Sequence, residues 1–216
     1  MQRVATYMLV NPGMEERYRE EHRQVWPEVL AGISRYGIRN YSIYMMGRVL
    51  FSLFQVEDLD RAMALAAADP INQKWQEHMA PIMDIASGIK DGSTLYLEEV
   101  FHSDGYPGAV SAVQRVATFM QVKAGLEERY RAEHDNVWPE ILQQIEQARI
   151  RNYTIFMRGR ELYSYFEVED LDRAMSTLAA DPVNQRWQEH MAPLMDVGSG
   201  VKDGSTAYLQ EVFHLD

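Results

Sequence analysis

YREEHRQVWPE, residues 18–28, returns further along the chain as YRAEHDNVWPE, residues 130–140. The tyrosine, histidine and tryptophan keep their spacing while the residues between them change. Tyr18 and His22 are four apart, which puts both on one face of a helix, one turn from each other. Pro27 disfavours helical geometry at Trp26, so a kink or a fresh helix start is expected there. Outward from this stretch the correspondence continues without a gap. His22 returns as His134 and Trp75 as Trp187, each 112 residues later, so that Gln2–Asp104 aligns with Gln114–Asp216. Identity over such a length is a domain duplication and not a short solenoid repeat. The expected domains are 1–104 and 113–216. SDGYPGAVSAV, residues 103–113, is rich in Gly, Ser, Ala and Pro, and residues 105–112 of it are taken as the linker.

Within each copy the apolar period switches in a fixed order. RVATYMLV, residues 3–10, alternates as a strand does, and Tyr18, His22, Val25, Val29 and Ile33 then recur at helical spacing. IRNYSIYMMG and VLFSLFQVE predict two strands joined by a short turn at Gly47, or Gly159 in the second copy. Asp58 is placed to cap one helix; Asp69, followed by Pro70, is placed to cap another. A loop ending in DGS leads to a final strand over 94–102. The order β-α-β-β-α-β is the split βαβ plan of a ferredoxin-like fold. The fold class is therefore α+β, with two such domains expected to pair as an intramolecular dimeric α+β barrel that removes open apolar sheet faces. Such an internal pseudo-dimer leaves open whether the chain forms a further homo-oligomer.

Composition sets outer limits on function. The chain has 216 residues, 46% hydrophobic and 25% charged, enough to bury a substantial core. A net charge of -11 repels phosphate backbones, so no nucleic-acid partner is expected. The absence of cysteine removes disulfides, thiolate nucleophiles and thiolate metal sites. No run approaches the ~18 apolar residues of a membrane span, and MQRVATYMLV has no secretory pattern, so a cytoplasmic protein without membrane partners is expected.

Each candidate residue also has a plain structural reading. A tyrosine or tryptophan at helical spacing packs into a core more often than it touches a ligand. Glu21 and Glu133 are expected to face solvent and pair with Arg17 and Arg129 at i, i+4. The DGST stretches lack the length and lysine of a phosphate loop and are taken as turns. No His/Asp/Glu set has the spacing of a metal site, so no metal is expected. Spacing alone thus reaches a small-molecule site containing His, Tyr and Trp. Aromatic faces suit the C–H side of a sugar ring, and hydroxyls and amides suit its oxygens. A reaction does not follow from this.

VNPGMEERYREEHRQVWPEV, with GIRNYSIYM, NQKWQEHMAP and a closing LEEVFH, resembles the L-rhamnose mutarotase family over nearly all of each copy. The resemblance implies an isomerase that interconverts the α and β anomers of L-rhamnose or a related deoxyhexose, with a monosaccharide as its partner and no cofactor. It implies that His22 and His134 transfer protons. Tyr18, Tyr41 and Trp75, with Tyr130, Tyr153 and Trp187, then contact the sugar. Gln76 and Gln188 stand where the family often has a second tryptophan, and are counted with the substrate-binding positions. The rival readings are a non-catalytic sugar-binding module and a monooxygenase of the dimeric α+β barrel class.

Overall fold

The computed structural model describes residues 1–108, 112–201 and 203–216. The middle of the expected linker, residues 109–111, lies outside them. The first repeat runs β1 (Gln2–Val10), α1 (Glu15–Arg23), α2 (Pro27–Arg35), β2 (Arg39–Met46), β3 (Val49–Val56), α3 (Leu59–Ala68), α4 (Pro70–Met79), then β4 (Met83–Ile85), β5 (Leu95–Tyr96) and β6 (Glu98–Gly105). The second runs β7 (Gln114–Val122), α5 (Glu127–Asp135), α6 (Pro139–Gln147), β8 (Arg151–Arg158), β9 (Glu161–Val168), α7 (Leu171–Ala180), α8 (Pro182–Met191), β10 (Met195–Val197) and β11 (Ala207–Leu215). The small strands β4 and β10 have no counterpart in the sequence reading and pair with β1 and β7, while the strand expected over 94–102 is split into β5, which pairs with β1, and β6.

Local chemistry accounts for the breaks. Trp26 is extended, φ -57 and ψ 134, because Pro27 excludes the helical region before it. The first helix therefore ends at Arg23 and a second starts with Pro27 in its first turn, where a missing N–H costs nothing. Asp58 accepts from the Arg61 N–H at 3.0 Å and Asp69 from the Ile71 N–H at 2.8 Å, caps that each contribute about 1 kcal/mol. β2 and β3 form the expected hairpin through a turn at Gly47, which sits at φ +56. Asn40 also has a positive φ, 48, at an irregularity in the β2–β3 register, and Asn152 repeats this at 50. Asparagine tolerates that left-handed geometry.

The closing strands depart from the expected layout. Gln210–Asp216 belongs to the same compact unit as Met1–Leu97, while Glu98–Leu209 forms the other. In unit 1, Gln210–Leu215 of β11 pairs antiparallel with β2. In unit 2, β6 pairs with β8 in the same manner. Each repeat thus gives its last strand to the unit built mainly from the other, and the compact units cut across the repeat boundaries of 1–104 and 113–216. A strand's alternation specifies which face it buries, not which edge it joins.

Within unit 1 one sheet face packs Met8, Val10, Ile43, Met45 and Leu50 against Tyr18, Val29, Trp75 and Met79 from the helices. The opposite face is also buried: Ala5, Tyr44, Phe51 and Leu53 are all 4% exposed or less. Unit 2 repeats the helix-side core with Met120, Val122, Ile155, Met157 and Leu162 against Tyr130, Ile141, Trp187 and Met191. Full burial of each such large side chain is worth about 1.5–3 kcal/mol before entropy is counted. The Tyr–His ridge is thereby held on a packed support.

Candidate active site

In unit 1, α1 carries Tyr18 and His22 as one ridge facing the sheet. The His22 imidazole stacks on the Tyr18 ring, with centroids 4.0 Å apart and 23° between the planes. Its Nδ1 lies 3.0 Å from the Tyr18 carbonyl oxygen. A carbonyl only accepts, so Nδ1 carries the hydrogen and Nε2 keeps its lone pair. Among the described residues Nε2 has no hydrogen-bond partner. Trp75 from α4 and Phe213 from the closing strand meet the imidazole edge-on, each at 5.9 Å. Tyr41 packs against Phe213 at 5.5 Å and Phe54 at 5.6 Å.

Burial among these rings lowers the His22 pKa to about 4, against the smaller opposing effects of the Tyr18 carbonyl and the Glu21 charge. The imidazole is therefore neutral near pH 7. Burial also raises Tyr18 well above the usual phenol value and Tyr41 to about 12, so both hydroxyls stay protonated. Beyond Tyr41, Thr6 and Ser52 share a hydrogen bond of 2.6 Å. His22, Tyr41, Trp75 and Gln76 line one cavity of about 90 Å³. Tyr18 lies beneath the imidazole, 2% exposed. In this geometry it supports the histidine ring.

Gln76 has a second task. Its Oε1 accepts from the Ser87 hydroxyl at 2.8 Å, while Thr94 donates to the Ser87 carbonyl at 2.7 Å, which fastens the loop after α4 beside the cavity. Gly88 in that loop has φ +66, and a Cβ there would stand 2.3 Å from the Thr94 nitrogen. Only glycine fits so close a backbone approach.

The expectation for Glu21 needs correction. Its side chain is only 13% exposed and, besides pairing with Arg17, it lies 2.8 Å from Nε2 of His78 on α4. Trp26 then packs over both Trp75, at 5.3 Å, and His78, at 5.4 Å. Glu21 thus ties α1 to α4 behind the site, 57 residues apart in sequence. Glu133 does the same with His190 at 2.7 Å.

Unit 2 reproduces the cradle. His134 stacks on Tyr130 at 4.1 Å, its Nδ1 is 3.1 Å from the Tyr130 carbonyl, and Trp187 meets it at 5.9 Å. Phe101 takes the place of Phe213, 5.8 Å from His134 and 5.5 Å from Tyr153. Burial lowers His134 to about 4, raises Tyr153 to about 12 and holds Tyr130 well above the usual phenol value. Gln188 accepts from Ser199 at 2.6 Å. Here the imidazole lines a wider cleft of about 280 Å³ with Tyr130, Trp187 and Gln188.

Phe101 and Phe213 are the site residues that the sequence reading missed. The signal was the retained EVFH in both closing strands, whose partner strand no local pattern reveals. The histidines beside them, His102 and His214, sit between a hydroxyl and a carboxylate: Ser42 at 2.8 Å and Asp216 at 2.9 Å for His214, Thr154 at 2.9 Å and Asp104 at 3.0 Å for His102. Ser42 is 1% exposed, so this string fastens the strand and offers no accessible nucleophile. Among the described residues no group of three or more His, Asp or Glu is arranged to hold a metal, and no helix is long and apolar enough to cross a membrane.

The sequence profile described as L-rhamnose mutarotase matches residues 3–103 and again 115–215. The chain belongs to the L-rhamnose mutarotase family. It is thus an isomerase of the mutarotase class, built as a tandem repeat. An L-rhamnose mutarotase of Oceanobacillus iheyensis is 36% identical over 106 residues, which is 48% of this chain and 100% of the relative. One from Opitutus terrae is 38% identical over 104 residues, 47% of this chain and 98% of the relative. One repeat of this mutarotase therefore corresponds to a whole relative. The crystal structure of a putative monooxygenase from Fusobacterium nucleatum covers 99% of this chain and 94% of its own, with a TM-score of 0.58 and 9% identity. That likeness shows the α+β fold over both repeats and carries no chemistry.

Proposed function

We propose that each unit holds one site for the α/β interconversion of L-rhamnose or a close 6-deoxyhexose, with His22 and His134 moving the proton. The observation that carries this reading is the uncommitted Nε2 of a neutral imidazole at the wall of a cavity shared with Tyr41, Trp75 and Gln76. Nε2 takes the hydrogen of the anomeric hydroxyl as the C1–O5 bond breaks and O5 gains a proton. The open aldehyde rotates about C1–C2, and the same steps in reverse close the ring on the other carbonyl face. Burial makes the imidazole a modest base, but it makes the transient imidazolium a strong acid, which favours passing the proton on to O5.

The remaining residues orient the sugar. The indole of Trp75 or Trp187 and the edge of Phe213 or Phe101 suit the C–H face of a pyranose, and the protonated hydroxyl of Tyr41 or Tyr153 donates to its oxygens. Tyr18 and Tyr130 hold the imidazole ring. No charged group is needed on the ligand, in keeping with the net charge of -11. The ring opens spontaneously in water, so the ~10²- to 10⁴-fold effect of placed proton transfer suffices. The reading places the enzyme in the cytoplasm.

The test is saturation transfer between the α and β H1 resonances of L-rhamnose with catalytic amounts of the chain. Exchange well above the spontaneous rate is expected. A rate indistinguishable from buffer would sink the reading, and binding without acceleration would replace it by a sugar-binding module.

A further inference from the structure

Past the imidazole, the cavity of unit 1 runs on into a first annex at Ile33, Ile38, Phe54, Met63 and Ala66; its nearby polar groups, Thr6, Ser52 and Asn72, bond within the protein, Thr6 with Ser52 and the Asn72 amide to the Ala66 carbonyl. Unit 2 has a corresponding recess, the second annex, walled by Ile145, Ile150, Phe166, Met175 and Leu178, which shares Tyr153, Trp187 and Gln188 with the cleft of His134. Two replacements work to shrink the second annex, since Ala66 becomes Leu178 and Val29 becomes Ile141. A third offsets them. Tyr36, whose ring lines the first annex, is Ala148 in unit 2. That ring covers Gly32 so closely that a Cβ there would lie 2.7 Å from its hydroxyl oxygen. With the ring gone, the position equivalent to Gly32 carries Gln144, and this amide side chain lines the second annex.

The walls therefore differ in chemistry. The Tyr36 hydroxyl donates to Asp69 Oδ2 at 2.8 Å, so its hydrogen is spent inside the protein. The Gln144 amide has no hydrogen-bond partner among the described residues. The methyl of a 6-deoxyhexose is its one apolar substituent, and an apolar annex beside the indole is where it escapes water. A hydroxyl added to that carbon would be stripped of water against Met63 and Ala66 in unit 1. In unit 2 it would meet a free amide. Building on the mutarotase reading, we propose that Gln144 is a specificity-determining residue. The second site accepts a hexose with a 6-hydroxyl, L-mannose being that counterpart of L-rhamnose, while the first is restricted to 6-deoxy sugars.

His134→Ala leaves only the first site working and His22→Ala only the second. Anomer exchange of L-rhamnose and L-mannose is measured by saturation transfer on both proteins. The L-mannose to L-rhamnose rate ratio is expected to be about tenfold higher for H22A than for H134A. Gln144→Leu added to H22A should lower that ratio about tenfold, with Gln144→Ala as a smaller replacement should leucine crowd the annex. Gly32→Gln with Tyr36→Ala, placed in H134A, should raise it. Equal ratios in the two single-site proteins, no exchange of either sugar by H22A, or a ratio unmoved by either Gln144 replacement would overturn this inference while leaving a mutarotase in place. Failure of the unmodified chain to accelerate either sugar would overturn both.

Discussion

Phe51 and Leu53 of unit 1 correspond to Tyr163 and Tyr165 of unit 2, and all four are buried to 4% exposure or less. Each new hydroxyl donates to a carboxylate on its own strand, Tyr163 to Glu161 at 3.1 Å and Tyr165 to Glu167 at 3.0 Å. The acceptors replace Val49 and Gln55. On the other side of the same strand, facing the site, Leu50, Ser52 and Phe54 return unchanged as Leu162, Ser164 and Phe166. One face of the hairpin thus differs between the units, each new buried hydroxyl having a carboxylate partner, while the face beneath the imidazole is the same in both. The closing strands differ in a similar way. Arg19 makes one hydrogen bond to Gln210, at 3.2 Å, whereas Arg131 grips Glu98 with several, the shortest 2.8 Å.

The exchange of strands gives the strongest way to break this comparison. Phe213 lies in the second repeat but walls the His22 site; Phe101 lies in the first but walls the His134 site. In the H134A background Phe213→Ala should cut anomer exchange about tenfold by loosening the imidazole, and Phe101→Ala should do little. In the H22A background the order should reverse. If each phenylalanine instead affected the site of its own repeat, the strand assignment would be wrong.

Titration sharpens the likeness of the two cradles. With both imidazoles held near 4, exchange should stay level from pH 7 to about 5 and fall as the pH passes through about 4. An exposed histidine would lose its base form near ~6.5. The sign for stability follows from the same values. The unfolded chain takes up these protons first, so the contribution of the neutral buried rings is complete above ~6.5 and is lost as pH falls through about 4. Urea midpoints taken across that range should fall on acidification, and a flat response would show that the rings are not buried. The smallest effect belongs to the strand anchors. Glu98→Gln makes unit 2 resemble unit 1 and should cost less than about 1 kcal/mol in a urea titration, because the pair is partly solvated.

Much of this was legible in the sequence for physical reasons. The duplication, the caps at Asp58 and Asp69, the helix restart at Pro27 and the shared ridge of Tyr18 and His22 all depend on neighbours within a few residues. What escaped depends on the third dimension. The alternation of EVFH is the same whichever edge the strand joins, so the strand exchange and the aromatic wall of Phe101 and Phe213 left no local trace. Glu21 reads as one half of an i, i+4 pair with Arg17, and its bond to His78 comes only from packing α1 on α4. The ordinary pKa of histidine, ~6.5, lies close to neutrality; burial among Tyr18, Trp75 and Phe213 makes His22 a neutral group there, which no local pattern reveals.

The central claim is that one imidazole in each unit carries the proton between the sugar oxygens. It is tested most directly by saturation transfer on L-rhamnose with the His22→Ala and His134→Ala variants, singly and together. Each single variant should retain part of the catalysed exchange, and the double variant, still folded by circular dichroism, should fall to the spontaneous rate. A folded double variant that exchanges the anomers as fast as the unmodified chain would contradict the account.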